Sequence, residues 1–169
     1  MRTVQWNYNT NKIEMIDQRL LPGEFKVAVF DDYHSVAQAI TDMVVRGAPA
    51  IGATAAFGMA LAAQQSLATN VPALVDDLKT AGEYLKKSRP TAVNLTWGVD
   101  RMMGAANQFE GNVDDFKATM LVEAQRVADE DVEINLRMAR HGAELIENGD
   151  TIIHHCNTGA LAAVDWGTA

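Results

Sequence analysis

Arg46-Gly47-Ala48-Pro49-Ala50-Ile51-Gly52-Ala53-Thr54-Ala55-Ala56-Phe57-Gly58-Met59-Ala60-Leu61-Ala62-Ala63-Gln64-Gln65-Ser66-Leu67 decides the fold class of this 169-residue chain. Proline at 49 suits the first turn of a helix, because the N–H it lacks had no intrahelical partner there. From Ala50 onward alanine dominates, with Gly52 and Gly58 set among the larger Phe57, Met59 and Leu61. Small residues on several faces predict a helix over 50–67 that its neighbours approach closely, deep in a domain. The uncharged stretch runs from 47 to 75, but Pro49, Gln64, Gln65, Ser66, Asn70 and Pro72 interrupt it. A membrane span needs about 20 predominantly apolar residues. The stretch therefore reads as a buried helix and its exit, and no membrane partner is expected.

Upstream the pattern is that of short strands. Thr3-Val4-Gln5-Trp6 and Lys12-Ile13-Glu14-Met15-Ile16 flank the turn-rich Asn7-Tyr8-Asn9-Thr10-Asn11, which predicts a hairpin. Phe25-Lys26-Val27-Ala28-Val29-Phe30 follows the breaker pair Pro22-Gly23 and predicts a third strand. Asp31 and Asp32 offer caps for a helix carrying Val36, Ile40, Met43 and Val44 and ending near Arg46-Gly47.

Downstream, helices are predicted from Pro72 towards Lys87, over 95–107, and over 113–148 with Asn112 and Asp115 in a capping arrangement. Ser88-Arg89-Pro90-Thr91-Ala92-Val93-Asn94 forms the break between the first two, since proline biases its predecessor away from helical dihedrals. On the long helix Phe116, Met120, Val127, Ile134, Met138 and Leu145 make the expected apolar stripe, interrupted at Asp131. Asp129-Glu130-Asp131 is expected on the solvated side.

At Gly149-Asp150 the pattern changes again. Thr151-Ile152-Ile153-His154-His155 predicts a strand, Cys156-Asn157-Thr158-Gly159 a turn, and Ala160-Leu161-Ala162-Ala163 the opening of a helix. That order begins a parallel α/β sheet. The fold class expected is α/β, with a strand-and-helix domain over 1–149 and the first strand-turn-helix of another over 150–169. Such a strand has nothing to pair with, so the sequence is expected to stop inside its second domain.

Composition narrows the function classes. With 48% hydrophobic and 21% charged residues the chain has the profile of a folded protein. A formal net charge of -8 repels nucleic-acid backbones and anionic membranes, so no nucleic-acid partner is expected, although a local basic pocket could hold a phosphate. Cys156 is the only cysteine, which excludes an internal disulfide and suits a reducing compartment. The opening Met1-Arg2-Thr3-Val4-Gln5-Trp6-Asn7 lacks the apolar run of a signal peptide. A cytoplasmic location is the expectation.

Two places carry candidate chemistry. The turn into the alanine-rich helix exposes backbone N–H groups at the positive end of a helix dipole, where an anion is favoured. Arg46 adds a planar fork of donors suited to phosphate oxygens, with Gly47 and Ala48 beside it. The plain alternative is a tight helix corner with Arg46 facing solvent. Arg89 carries the same two readings, a second anion contact on a rigid loop or a surface charge. Cys156 is expected at the carboxyl edge of a sheet, before a helix whose free N–H groups would lower its thiol pKa. An inert core thiol is its alternative.

Other signals are weak. Adjacent strand residues point to opposite faces, so His154, His155 and Cys156 would not converge on one ion, and no metal site is expected. Nor is there a phosphate-loop lysine motif or a dinucleotide glycine fingerprint. The dispersed Trp6, Trp97 and Trp166 make no stacking platform for nucleic acid.

Met43-Val44-Val45-Arg46-Gly47-Ala48-Pro49-Ala50-Ile51-Gly52, Ser88-Arg89-Pro90-Thr91-Ala92-Val93-Asn94-Leu95 and His155-Cys156-Asn157-Thr158-Gly159-Ala160-Leu161-Ala162 together resemble the methylthioribose-1-phosphate isomerase family. Gln5-Trp6 and Ile16-Asp17-Gln18-Arg19-Leu20-Leu21-Pro22 resemble its opening, so the likeness covers essentially the whole chain in matching order. The resemblance implies an N-terminal domain of small sheet plus helices, followed by a Rossmann-like domain. It implies conversion of 5-methylthioribose 1-phosphate to 5-methylthioribulose 1-phosphate in methionine salvage. It further implies a sugar phosphate as partner, a homodimer in full-length form and no cofactor.

Residue by residue, Arg46, Gly47, Ala48 and Arg89 match the family's substrate contacts and Cys156 matches its catalytic cysteine. Thr158 departs from the pattern, since alanine is frequent there. The family's catalytic aspartate falls beyond residue 169, so residues 1–169 alone are expected to be inactive. Two competitors remain: the regulatory subunits of the exchange factor for translation initiation, which share the architecture, and ribose 1,5-bisphosphate isomerase. A methylthio pocket should be apolar, whereas a second phosphate needs a basic one.

Overall fold

The computed structural model describes residues 1–167, as a three-stranded antiparallel sheet and five α-helices. Strands β1 (Val4–Asn7) and β2 (Lys12–Ile16) form the expected hairpin, with Trp6 opposite Ile13, and β3 (Val27–Phe30) adds to the other edge of β2. Alternation decides the sheet's inner face. Val4, Trp6, Ile13 and Met15 are buried while Gln5 and Glu14 are turned outward enough to hydrogen-bond one another.

Helix α1 (Tyr33–Thr41) starts where Asp32 accepts a hydrogen bond from the Ser35 N–H at 2.9 Å. It stops at Thr41, short of the expected 46, because Met43 takes a positive φ of 59°. Helices α2 (Ala48–Gln65) and α3 (Val71–Ser88) follow, the latter capped by Asn70. Helix α4 (Val93–Gln108) begins two residues earlier than expected, so Val93 and Asn94 belong to its first turn and the loop shortens.

Helix α2 is the centre of the molecule. Ala50 to Ala63 are all buried, and α1, α3, α4, α5 and both hairpin strands touch this one helix. Its glycines are points of close approach. A Cβ at Gly52 would stand 3.0 Å from the Asn94 carbonyl oxygen of α4, and one at Gly58 would stand 3.3 Å from Leu85 of α3 and Val36 of α1. Phe57 fills the space towards the sheet, its ring centroid 6.4 Å from that of Trp6. Phe57→Ala is expected to destabilise the fold by about 3–5 kcal/mol, measurable as a lower denaturant midpoint at unchanged slope.

Helix α5 (Val113–Ala143) has its Asn112 cap, but ends before the expected 148. Only the first half of its stripe is buried: Phe116, Met120 and Val127 are in the core, whereas Ile134 and Met138 are 51% and 46% exposed. Leu145, 84% exposed, lies past the helix end. The reason is geometric, since α2 and α4 pack against the N-terminal part of α5 and leave its far end uncovered.

Residues 151–155 do not form the expected strand, and 160–163 give only a 3₁₀ turn, Ala160–Ala162. A strand needs a partner for its backbone donors and acceptors, and within the described residues none runs beside 151–155. Ala169, with Thr168, lies outside the described residues. Among the described residues no helix is long and apolar enough to cross a membrane.

Several carboxylates tie the fold to pH. Hydrogen bonds from Asn7 and Gln5 hold Glu14 below the usual carboxylate range, and the Arg19 guanidinium does the same for Asp17. Arg101 lowers Glu130 likewise. Groups with a folded pKa below the unfolded one stabilise fully above the ordinary carboxylate range and lose that contribution as pH falls through it. The melting temperature is therefore expected to fall progressively below about pH 4.5. A flat thermal profile from neutral pH into acid would remove these three groups from the stability account.

Candidate functional site

Three of the five α-helices begin with a side-chain cap, supplied by Asp32, Asn70 and Asn112. The other two, α2 and α4, have none. Their first turns lie side by side, because Gly98 of α4 sits against Gly52 of α2 and Asn94 against the same glycine. Two helix N-termini thus point unpartnered N–H groups and positive dipole ends into one region.

Arg46 stands exposed immediately before this region. Gly47 is the N-terminal flanking residue of α2 with φ of 92°, a conformation that L side chains rarely adopt, and Ala48 is the exposed first helical residue. Arg89 is half-buried at the end of α3, three residues before the Ala92 that starts α4. Among the described residues Arg46 and Arg89 make no ion pair, whereas Arg2, Arg19, Arg101, Arg126 and Arg137 each pair with a carboxylate. Arg140, near the far end of α5, likewise makes none among the described residues.

Beside the two helix starts is a cavity of about 340 Å³. Pro49, Val93, Trp97, Val127 and Ile134 give it apolar walls; Asn94, Glu130 and Asp131 supply the polar side. Arg101 is engaged by Glu123 and by Glu130, the latter a wall of this cavity, and lies 5.6 Å from the centre of the Trp97 ring. Burial raises the Asp131 carboxyl above its usual pKa, against the opposing pull of its hydrogen bonds from Val164 and Asn135. The solvated position expected for Asp131 is therefore corrected: it is turned inward. Periodicity carried that signal, since Asp131 falls within the apolar stripe.

Cys156 is exposed, with φ of 69°, as are His154 and His155. Neither the sheet edge nor the helix start expected around the thiol is present, because the turn that follows has three residues only. Immediately beyond, however, the chain returns to the body of the protein. A Cβ at Gly47 would lie 2.2 Å from the Ala162 carbonyl oxygen and 2.3 Å from its Cα, so these backbones touch. Six residue steps separate Ala162 from Cys156, which puts Cys156 within roughly 25 Å of the start of α2. Gly47 thus meets the segment that follows the cysteine.

Comparison with known proteins gives a consistent picture. The Initiation factor 2 subunit family matches residues 44–165. The putative methylthioribose-1-phosphate isomerase of Pyrococcus furiosus is 50% identical over 162 residues, covering 95% of this chain and 45% of that protein. A crystal structure of 5-methylthioribose 1-phosphate isomerase from Pyrococcus horikoshii superposes with a TM-score of 0.91 at 47% identity, over 98% of this chain and 46% of the other. The translation initiation factor eIF-2B, subunit delta, from A. fulgidus superposes with a TM-score of 0.89 at 42% identity, over 99% and 48%. The chain spans about half the length of the relatives it matches.

Proposed function

Because this chain belongs to the Initiation factor 2 subunit family, and matches isomerases within it along nearly its whole length, we propose that the full-length protein converts 5-methylthioribose 1-phosphate to 5-methylthioribulose 1-phosphate. The observation that carries this reading is the contact between Gly47 and Ala162, which joins an uncapped helix start to the segment following Cys156.

The chemistry asks for this combination. A phosphate on the anomeric oxygen blocks simple aldehyde formation, so the enzyme must assist ring opening and move a hydrogen from C2 to C1 while keeping the phosphate attached. In this reading Arg46, the amides at Gly47 and Ala48, and Arg89 hold the phosphate, and the Cys156 sulfur faces the sugar carbons. An acid at the ring oxygen, the family's aspartate, is proposed to come from a Rossmann-like second domain whose first residues are 150–169. With Cys156 exposed in residues 1–169, that domain is what would bring the thiol to the sugar. The isolated polypeptide is accordingly proposed to be inactive, and the full-length protein to be a cytoplasmic homodimer that needs no cofactor.

The cavity favours a methylthio substituent over a second phosphate. Its walls are apolar and its polar side bears two carboxylates, with no arginine or lysine among the lining residues. Ribose 1,5-bisphosphate would place a dianion against Glu130 and Asp131. Measuring kcat/KM of the full-length protein for both sugars tests this directly. At least a tenfold preference for the methylthio sugar is expected, and equal turnover would overturn the cavity assignment.

A second reading, a regulatory subunit of a translation exchange factor, has in its favour the near-equal likeness to the A. fulgidus structure. Calorimetric titration of the full-length protein with 5-methylthioribose 1-phosphate separates the two. Saturable binding with turnover supports the isomerase, and a protein that neither binds nor converts the sugar belongs to the regulatory class.

A further inference from the structure

We propose that Asp131 is a positioning residue that fixes the chain following Cys156 against the start of α2. The inference rests on the isomerase reading for its effect on turnover, but its structural part stands by itself. The segment 160–164 contains one turn of 3₁₀ helix and no strand, yet Ala162, Ala163 and Val164 are buried. Something other than regular secondary structure holds it.

Three side chains from three separate parts of the fold do so. Thr3, ahead of β1, donates its hydroxyl to the Ala160 carbonyl at 2.8 Å and its N–H to that of Val164 at 2.9 Å. Gln18, beyond β2, donates its amide to the Leu161 carbonyl at 2.8 Å. Asp131, on α5, accepts the Val164 N–H at 2.8 Å through Oδ2. Its Oδ1 accepts from the Asn135 amide at 3.1 Å, and Asn135 is buried. Both carboxylate oxygens are therefore committed, which suits a fixed support and not a proton carrier.

Asp131 differs from the other two supports in what else it touches. It lines the cavity beside the starts of α2 and α4, so one side chain joins the cavity wall to the segment that Gly47 abuts. A charged acceptor on a backbone N–H makes a hydrogen bond roughly twice as strong as a neutral one. Losing it frees Val164, then the contact of Ala162 with Gly47, and with that the placement of the thiol relative to the phosphate.

The test compares wild type, Asp131→Ala and Asp131→Asn in the full-length protein. Asp131→Ala is expected to lower kcat for 5-methylthioribose 1-phosphate at least tenfold with KM changed less than threefold. Asp131→Asn keeps an acceptor of the same reach and is expected to recover half or more of the rate. Hydrogen–deuterium exchange at the Val164 amide should rise at least tenfold in Asp131→Ala and stay near wild type in Asp131→Asn. Should Asp131→Ala not fold, Gln18→Ala removes a neutral support and is expected to reduce kcat about threefold, again at nearly constant KM. Unchanged Val164 exchange and unchanged kcat in the folded variants overturn the proposal. If wild type shows no turnover, the isomerase reading fails, while Val164 exchange still decides whether Asp131 holds the segment.

Discussion

Gly98→Ala is expected to lower the melting temperature by about 6–12 °C, equivalent to about 3 kcal/mol in a chain of this size. On helix propensity alone the sign would be opposite, because alanine is favoured over glycine inside a helix by up to about 1 kcal/mol. Packing reverses it. A Cβ at Gly98 would stand 2.5 Å from the Gly52 carbonyl oxygen and 3.4 Å from its Cα. The obstacle is the backbone of the central helix, which cannot rotate away as a side chain can. Helices α2 and α4 would have to separate, and with them the two uncapped starts and the cavity between them.

A control lies on the same helix: nothing stands within 4 Å of a Cβ built at Gly104. Gly104→Ala is therefore expected to stabilise by up to about 1 kcal/mol. Thermal unfolding of both variants checks the pair. Equal effects at 98 and 104 would mean that propensity, not the α2–α4 contact, sets the outcome.

The sequence made the central helix legible because its signal is local. A run of alanine and glycine with Pro49 at one end says small, close-packed and helical wherever it is found. The hairpin was legible for the same reason, its alternation and its turn residues being adjacent in the chain. The far end of α5 was not. Its stripe of Ile134, Met138 and Leu145 has helical spacing, but spacing states only which residues share a face, not whether a neighbour reaches that face.

Residues 151–155 failed in a related way. Their β-favouring composition predicts a strand only if another strand supplies its hydrogen bonds, and that information is not in those five residues. Turn chemistry drew attention to Arg46 and the glycine-containing start of α2 as a candidate anion site, because those residues are adjacent in the chain. Thr3, Gln18 and Asp131 gave no such signal, since their contacts with 160–164 span more than a hundred residues for the first two and 33 for the third. For Asp131 the one available hint was a carboxylate interrupting an apolar stripe.

In the full-length protein, Arg46→Ala is expected to reduce kcat/KM for the sugar phosphate about a hundredfold, and Cys156→Ala to reduce kcat by at least as much. The two losses should differ in kind. On the proposed reading the Arg46 guanidinium would hold a dianion in both ground and transition states, so its removal should appear chiefly in KM. Losing a pair of charge-assisted hydrogen bonds costs about 3 kcal/mol, which is the hundredfold.

On the reading proposed above the thiol takes no part in gripping phosphate. It would act on the sugar carbons during hydrogen transfer, so Cys156→Ala should leave KM nearly unchanged while kcat falls. Arg46→Lys separates charge from geometry: it restores the charge without the planar fork and should recover only part of the loss. Steady-state kinetics of the three variants decides the matter. Full turnover by Cys156→Ala would take the sulfur out of the mechanism, and an unchanged KM in Arg46→Ala would move the phosphate away from the start of α2.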